Sequence, residues 1–212
     1  EWIFLMSDDA PAQKQYTLGE DLNDHQRAEI GKLVESHRDS FAVNNKAPQK
    51  CTLGLHIIQS QEEGLYHRDK VRRLPLNQID YVNEQVKEML DNGIIHPSKS
   101  PYNNNILLTN KDDGSKRFVL DFRNLNKNTK PDNYPMPNVE QMIESTYGLK
   151  FFTQLDLASG YWAVPLRKED QEKTAFSAPN GKYEFGVLPF GLLNAMATFQ
   201  RFMDKLVAEC RR

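Results

Sequence analysis

The order of turn and helix signals along the 212-residue chain predicts an α+β fold. Two dipeptides typical of hairpin turns, Asp113-Gly114 and Asn180-Gly181, each join two short apolar runs. Helical spacing of apolar residues marks a segment that ends at Asn92-Gly93 and another that begins at Asn194. Because hairpins and helices do not alternate one by one, the pattern favours antiparallel sheets with helices over a parallel α/β sheet.

The N-terminal part predicts little regular structure. Residues 1–22 are interpreted as a linker, because a short apolar patch over 1–6 is followed by a polar stretch over 7–19 that carries Pro11. Asn23 is placed to cap a helix that runs to about Phe41. Alternation from Thr52 to Ser60 predicts a short strand, and His67 to Leu76 is expected to be basic and extended. The side of that strand expected to be buried carries Leu53, Leu55 and Ile57.

The middle of the chain predicts a helix, a hairpin and a second helix. Asn77 is expected to cap the first helix. Apolar runs 106–108 and 118–120 form the hairpin, and its loop carries three cations. A loop is expected over 124–137, and a short helix over 138–147. The hairpin cations are Lys111, Lys116 and Arg117.

The stretch from Phe151 to Leu166 predicts a buried strand with an acid in it, Asp156. A buried carboxylate is costly unless it is paired, and a divalent metal is a common reason to keep one. The alternative is an aspartate that caps a turn at the end of the strand. A bend at Ser159-Gly160 would bring Tyr161 back towards the carboxylate.

The C-terminal part predicts a charged turn over 167–173 and a hairpin of strands 174–177 and 183–187. Pro189-Phe190-Gly191 is expected to bend sharply, and Asn194 to cap the last helix. The apolar face of that helix is most simply core, and it comprises Phe199, Phe202, Met203, Leu206, Val207 and Cys210.

Composition limits the function classes. The net charge is −2, yet residues 99–130 hold seven bases against three acids and residues 67–73 hold four bases against one. Such a basic middle suggests a local polyanion site, although a solvated charged face explains the charges equally well. Two cysteines exclude a disulfide framework or a zinc cluster and favour a reducing, intracellular setting. Neither a signal peptide nor a membrane span is predicted.

Four collinear stretches resemble reverse transcriptases of Ty3/gypsy-type retroelements. They are VNEQVKEMLDNGIIHPSKSPY (82–102), ILLTNKDDGSKRFVLDFRNLNKNTKPDNYPMPNVEQMI (106–143), LDLASGYWAVPL (155–166) and TAFSAPNGKYEFGVLPFGLLNAMATFQRFM (174–203). The resemblance implies the fingers and an incomplete palm of a right-hand polymerase. It also implies two-metal transfer of deoxynucleotides to a primer 3′-end, with Mg²⁺ or Mn²⁺ as cofactor.

The resemblance assigns roles to single residues. Asp156 corresponds to the first metal-binding aspartate, and the carbonyl of Leu157 to a further ligand. Lys111 and Arg117 correspond to the residues that grip the triphosphate, and Tyr161 to the aromatic gate beneath the sugar. Phe190 and Gly191 correspond to the bend that lines the nucleotide. Nucleic acid is expected at Arg72, Arg73, Lys116 and Arg123, and Asp121 is expected to pair with Arg123.

The domain division expected from the resemblance follows the chain. Residues 1–22 are a linker, and residues 23–75 lead into the fingers. Fingers comprise 76–130 and 164–194, and palm comprises 131–163 and the first part of a second segment, 195–212. Expected partners are an RNA or DNA template-primer, deoxynucleoside triphosphates, and the remaining polymerase and RNase H segments of a polyprotein. No membrane partner is expected. The expected location is cytoplasmic, nuclear or in a retroelement particle.

The sequence stops before the family's second acid pair, an aromatic-x-Asp-Asp hairpin. One carboxylate does not hold two Mg²⁺ ions, so the chain alone is expected not to polymerise. The alternative is a retroelement-derived adaptor that binds nucleic acid without chemistry; a purely structural use has no positive support in the sequence. Departures from the family pattern include Asp112, Asn103 to Asn105, Trp162-Ala163 and Met196. An unpaired strand at 151–157 is expected to favour aggregation.

Overall fold

A computed structural model of the chain describes residues 16–41, 50–110, 114 and 116–210. Its residues fall into two compact units, which are described separately. The first unit comprises Glu1–Pro48 and Pro137–Gly160, and the second comprises Gln49–Met136 and Tyr161–Arg212. No helix among the described residues has both the length and the apolar character that crossing a bilayer requires.

A three-stranded antiparallel sheet lies in the second unit, with the strand order β1-β5-β4. Its strands are β1 (Ile95–Pro97), β4 (Phe176–Ala178) and β5 (Gly181–Phe185). The pairing of β4 with β5 confirms the hairpin predicted from Asn180-Gly181. Phe176 is fully buried and touches three other aromatic rings at 5.8–6.0 Å, those of Phe118, Tyr183 and Phe185.

A two-stranded sheet confirms the second predicted hairpin. Strand β2 (Asn105–Asn110) pairs with β3 (Lys116–Asp121), from Asn105 opposite Asp121 to Asn110 opposite Lys116. Asp113 lies outside the described residues, whereas Gly114 has a φ of 80°. That left-handed backbone is one that glycine adopts without a steric penalty.

Helix α2 (Leu76–Asp91) buries Val82, Val86 and Met89 along one face. It ends as predicted, with Gly93 at a φ of 66° after Asn92. The predicted N-cap was wrong, because Pro75 occupies the capping position and Asn77 lies in the first turn. The fixed φ of proline suits the entry to a helix, and no side chain caps this one.

Two other sequence predictions in the second unit need correction. The predicted loop over 124–137 begins with a short helix, α3 (Arg123–Lys127). No strand forms over 52–60, where isolated bridges join His56 to Leu166 and Ser60 to Thr129. The buried side of this segment is also the opposite one from that expected. His56 and Ile58 are buried, whereas Leu55 and Ile57 are exposed.

A buried aspartate organises the charged turn. Asp170 lies in α5 (Lys168–Gln171) and is only 1% exposed. It pairs with Arg167 at 2.8 Å and with Lys173 at 2.7 Å, and it accepts the backbone N–H of Ile58 at 3.0 Å. Every oxygen of the carboxylate therefore has a charged or backbone donor, which offsets the cost of its burial.

Helix α6 (Ala195–Cys210) completes the second unit. Asn194 precedes it as predicted, but the side-chain amide of Asn194 holds a neighbouring segment instead of capping the helix. It accepts from Asp132 N at 3.0 Å and donates to the carbonyl of Lys130 at 2.8 Å. The predicted apolar face is buried only in part, because Phe202 is buried whereas Leu206 and Val207 are exposed.

The first unit contains α1 (Asp24–Ser36) and α4 (Val139–Ser145). Asn23 and Gln26 form a capping box at the start of α1, which confirms that cap. The short helix predicted over 138–147 is confirmed as α4, and Asn138 caps it by accepting the N–H of Glu140 at 2.8 Å. Neither helix has a buried residue.

Candidate nucleotide and nucleic-acid site

Asp156 lies on an exposed segment of the first unit that has no regular secondary structure, rather than in a buried strand. The predicted strand was wrong: Phe151 is 65% and Leu155 is 69% exposed, and no described strand pairs with this segment. A strand needs a neighbouring strand for its backbone groups, and the described residues supply none. The inference of a metal from a buried carboxylate therefore loses its premise, and only the resemblance supports that role for Asp156.

The turn that follows Asp156 does form. Ser159 has a φ of 49°, and Gly160 N donates to the carbonyl of Leu157 at 3.3 Å. Ser159 is the only described residue other than glycine with a positive φ. A single residue in this conformation is costly unless its surroundings fix it, so the bend predicted at Ser159-Gly160 is a specific feature.

The donor atoms around Asp156 do not suit a pair of magnesium ions. No group of three or more histidine, cysteine, aspartate or glutamate side chains capable of holding a metal occurs among the described residues. One carboxylate and the carbonyl of Leu157 leave most positions of an octahedral Mg²⁺ without protein ligands. The described residues therefore do not form a complete two-metal centre.

An aromatic cluster in the second unit contains the predicted gate residue. The ring of Tyr161 lies 5.1 Å from the rings of both Phe190 and Phe199, centroid to centroid. The ring of Trp162 lies 6.5 Å from that of Phe190. Phe190 remains about half exposed, so one face of this cluster is open to solvent. The structure thus brings Tyr161 and Phe190 together.

The bend after Phe190 is held by one asparagine. Gly191 has a φ of 92°, which favours glycine. Asn126, in α3, donates its side-chain amide to the carbonyl of Gly191 at 2.9 Å and accepts the N–H of Leu193 at 2.9 Å. A side chain at position 191 would begin 3.7 Å from the ring of Phe122. The bend is therefore fixed against the segment that carries Arg123.

Two of the three hairpin cations can be located. Lys111 lies outside the described residues. Arg117 is exposed on β3 opposite Thr109, and no ion pair with another described residue forms. Lys116 has a structural contact, because its carbonyl accepts the hydroxyl of Tyr81 at 2.6 Å and joins the hairpin to α2.

A basic groove of about 400 Å³ opens on the second unit. Four of its side chains are basic and two are acidic, so the groove carries net positive charge. No aromatic residue lines it. Its lining is Asp69, Lys70, Val71, Arg72, Asn105, Asp121, Arg123, Asn124 and Lys127.

The predicted pair of Asp121 and Arg123 is confirmed and lies in this basic groove. Nε of Arg123 donates to Oδ1 of Asp121 at 2.8 Å, and Nη2 donates to Oδ2 at 2.6 Å. The hydrogen bonds from Arg123 lower the pKa of Asp121, and those to Asp121 raise the pKa of Arg123. The two hydrogen bonds to Asp121 orient the guanidinium of Arg123. Because the Arg123 side chain remains 75% exposed, its other N–H groups are available to a ligand.

Sequence reasoning identified part of this groove. Arg72 and Arg123 line it, whereas Arg73 and Lys116 do not. Lys70 and Lys127 also line the groove, although the sequence did not single them out. The local excess of bases over 67–73 and 99–130 was the available signal, but only folding shows which of those bases share a surface.

Comparisons with known proteins show similarity to reverse transcriptases and to transposon polyproteins. Residues 109–212 match the family described as reverse transcriptase (RNA-dependent DNA polymerase). The retrovirus-related Pol polyprotein from transposon gypsy of Drosophila melanogaster is 39% identical over 88% of this chain and 18% of its own length. The transposon Tf2-3 polyprotein of Schizosaccharomyces pombe is 36% identical over 86% of this chain and 14% of its own length. The chain thus spans less than a fifth of these relatives.

Solved structures share the fold. The protease-reverse transcriptase of prototype foamy virus, in its CSH mutant form, superposes with a TM-score of 0.78 at 24% identity, over 89% of this chain and 25% of that one. The foamy viral enzyme in complex with an RNA/DNA hybrid gives a TM-score of 0.75 at 20% identity, with the same two coverages. Sequence matches and shared fold together place this chain among the reverse transcriptases of Ty3/gypsy-type retroelements.

Proposed function

We propose that the chain contributes the fingers and the first part of the palm to an RNA-directed DNA polymerase, and that its basic groove holds the nucleic-acid strand. The observation that carries the proposal is the oriented guanidinium of Arg123, which shares the groove with three further cations. Such a surface attracts phosphates regardless of base sequence. Arg73 and Lys116 are proposed as accessory contacts outside the groove.

The aromatic cluster is the proposed floor of the nucleotide pocket. The half-exposed ring of Phe190 and the neighbouring Gly191 would line the incoming deoxynucleoside triphosphate, and Tyr161 would lie beneath its sugar. A ring held between Phe190 and Phe199 has little freedom to move away from a 2′-hydroxyl. Arg117, with Lys111, would neutralise the triphosphate.

Asp156, with the carbonyl of Leu157, is proposed as the contribution of this chain to a metal site. Because these donors do not complete a site for Mg²⁺ or Mn²⁺, the 212-residue chain is expected not to extend a primer. Partners proposed from the resemblance are a template-primer, deoxynucleoside triphosphates and further polymerase and RNase H segments. The division into fingers and palm remains a prediction.

A second candidate function is nucleic-acid binding without chemistry. The observation that favours it is the same basic groove, which needs no metal donors to attract phosphates. Primer extension separates the two functions: templated incorporation by the chain would exclude the adaptor and contradict the expected inactivity. Incorporation only after further palm segments are added would favour the polymerase.

The test of the groove is fluorescence-anisotropy binding of an RNA/DNA hybrid at several salt concentrations. Arg72→Ala and Arg123→Ala are each expected to weaken binding and to lower the salt slope by about 1. Lys168→Ala is the matched control, because Lys168 is an exposed cation of the second unit that does not line the groove and has no proposed contact with nucleic acid; no change of slope is expected. Equal effects of Lys168→Ala and Arg72→Ala would overturn the assignment of the groove.

A further inference from the structure

Residues 69–72 form one wall of the basic groove, and they lie within the segment 68–73, here called the basic strap. It forms neither helix nor strand and makes only one isolated bridge, from Arg68 to Asn103. Val71 within it is 65% exposed, so apolar burial does not anchor the strap. Its position, and that of Lys70 and Arg72, must therefore come from polar contacts.

Three asparagine side chains supply those contacts. Asn103 donates its side-chain amide to the carbonyl of Asp69 at 2.8 Å. Asn105 accepts the backbone N–H of Arg72 at 3.1 Å. Asn124 donates to Oδ1 of Asp69 at 2.6 Å. Each contact crosses at least thirty residues of sequence, so the strap is fixed to β2 and α3 rather than by its own turns.

Asn105 is the residue of this set that also lies in the groove. It is 5% exposed, begins β2 and lies opposite Asp121, the partner of Arg123. It therefore connects the two cationic walls, with Arg72 on one side and Arg123 on the other. A buried side chain with a fixed hydrogen bond is suited to set a distance between charges.

We infer that Asn105 and Asn124 are positioning residues that hold the basic strap so that Lys70 and Arg72 contact the same backbone as Arg123. The inference rests on the proposed function of the groove. Asn124 acts through Asp69, whose carboxylate it anchors to α3 by a hydrogen bond. The ligand class is the phosphate backbone of a single-stranded nucleic acid. Because no aromatic side chain lines the groove, binding is expected to depend on phosphate contacts and not on base stacking.

The experiment measures binding of oligothymidylate to the 212-residue chain by fluorescence anisotropy over a series of KCl concentrations. Asn105→Ala is expected to lower the slope of log K against log salt by about 1.4, the loss of two phosphate contacts to a single strand. Asn104→Ala is the matched control. Asn104 is 2% exposed and donates to Lys173 and Ala175 carbonyls outside the groove, so its loss is expected to reduce stability without changing the slope.

A second variant keeps the inference falsifiable if Asn105→Ala does not fold. Asn124→Ala, at a half-buried position, removes the hydrogen bond that anchors Asp69 and is expected to lower the slope in the same direction; an unchanged slope would overturn the role of Asn124. In a chain that already carries Lys70→Ala and Arg72→Ala, Asn105→Ala or Asn124→Ala is expected to have no further effect on the slope.

The outcomes separate the two levels of the proposal. If the unaltered chain shows no salt-dependent binding, the groove itself is wrong and the inference fails with it. If the chain binds but Asn105→Ala leaves the slope unchanged, or adds fully to Lys70→Ala and Arg72→Ala, the groove stands and the positioning role is overturned.

Discussion

Nδ1 of His56 lies 2.8 Å from Oγ1 of Thr198, inside the second unit. The backbone of His56 also donates to the carbonyl of Pro165 and accepts from Arg167 N, each at 2.9 Å. One buried imidazole thus joins the segment at 56, the turn at 165–167 and helix α6. Since both residues are buried, a charge on this ring would have little access to water.

Stability of the chain is expected to fall in mild acid because of His56. Burial lowers the pKa of its imidazole from 6.5 to about 4, so the unfolded chain takes up a proton that the folded chain refuses. The free energy of unfolding keeps its full value above pH 6.5, the pKa of His56 in the unfolded chain. It decreases by about 3 kcal/mol as the pH falls from 6.5 towards about 4. Urea unfolding at a series of pH values measures this loss.

The control for that pH series is His56→Gln, which cannot titrate. It is expected to be less stable than the parent chain near neutral pH but to lose less stability between pH 6.5 and 4. A decline of the same size in both proteins would assign the acid sensitivity to other groups. The carboxylate of Asp170 titrates in a separate, lower window, because its ion pairs hold its pKa below 3.8.

Asp170→Asn is expected to destabilise the second unit by about 3–5 kcal/mol. The change removes the negative charge that pairs with Arg167 and Lys173, both of which are more than half buried. It leaves these two cations next to a neutral amide. Thermal unfolding followed by circular dichroism gives the difference. Glu169→Gln is the matched control, since Glu169 is 73% exposed and lies 3.7 Å from Arg167, and it is expected to change stability by less than about 1 kcal/mol.

Gly191→Ala is expected to cost about 1–3 kcal/mol, from backbone conformation alone. The φ of 92° disfavours any L side chain, while the nearest atom would lie at an ordinary 3.7 Å. Gly186→Ala is the control, because Gly186 has no left-handed φ and its new methyl group would also meet neighbours at ordinary distance, 3.8 Å. Denaturant unfolding compares the two; similar costs would show that strain at the bend is not the cause.

Features with a local cause were predictable from the sequence. Both hairpins were predicted because Asp113-Gly114 and Asn180-Gly181 specify their turns within a few residues. The cap at Asn23 was predicted for the same reason. The pair of Asp121 and Arg123 followed from their spacing, although Arg123 begins α3 instead of extending the strand.

Features that depend on distant partners were not predictable. The alternation over 52–60 identifies two faces, but which one is buried depends on Thr198 and Asp170, more than a hundred residues away. The basic groove joins 69–72 to 121–127 in the same way, so charge counts indicated its bases but not its shape. The predicted strand at Asp156 did not form. The resemblance had indicated that this strand would lack a partner, but the local apolar pattern alone did not show that the segment would then be exposed.

The last prediction concerns the exposed segment 153–157, which precedes the turn at Ser159-Gly160. Amides of residues 153–157 are expected to exchange with deuterium nearly as fast as those of an unstructured peptide, because the described chain offers this segment no strand partner. Amides of β5 are the internal control; Phe185 N donates to the buried hydroxyl of Thr174 at 2.9 Å and is expected to be strongly protected. Hydrogen exchange read by mass spectrometry resolves the two peptides. If the amides of 153–157 were as strongly protected from exchange as those of β5, the exposed conformation would be wrong and Asp156 would lie in a paired strand.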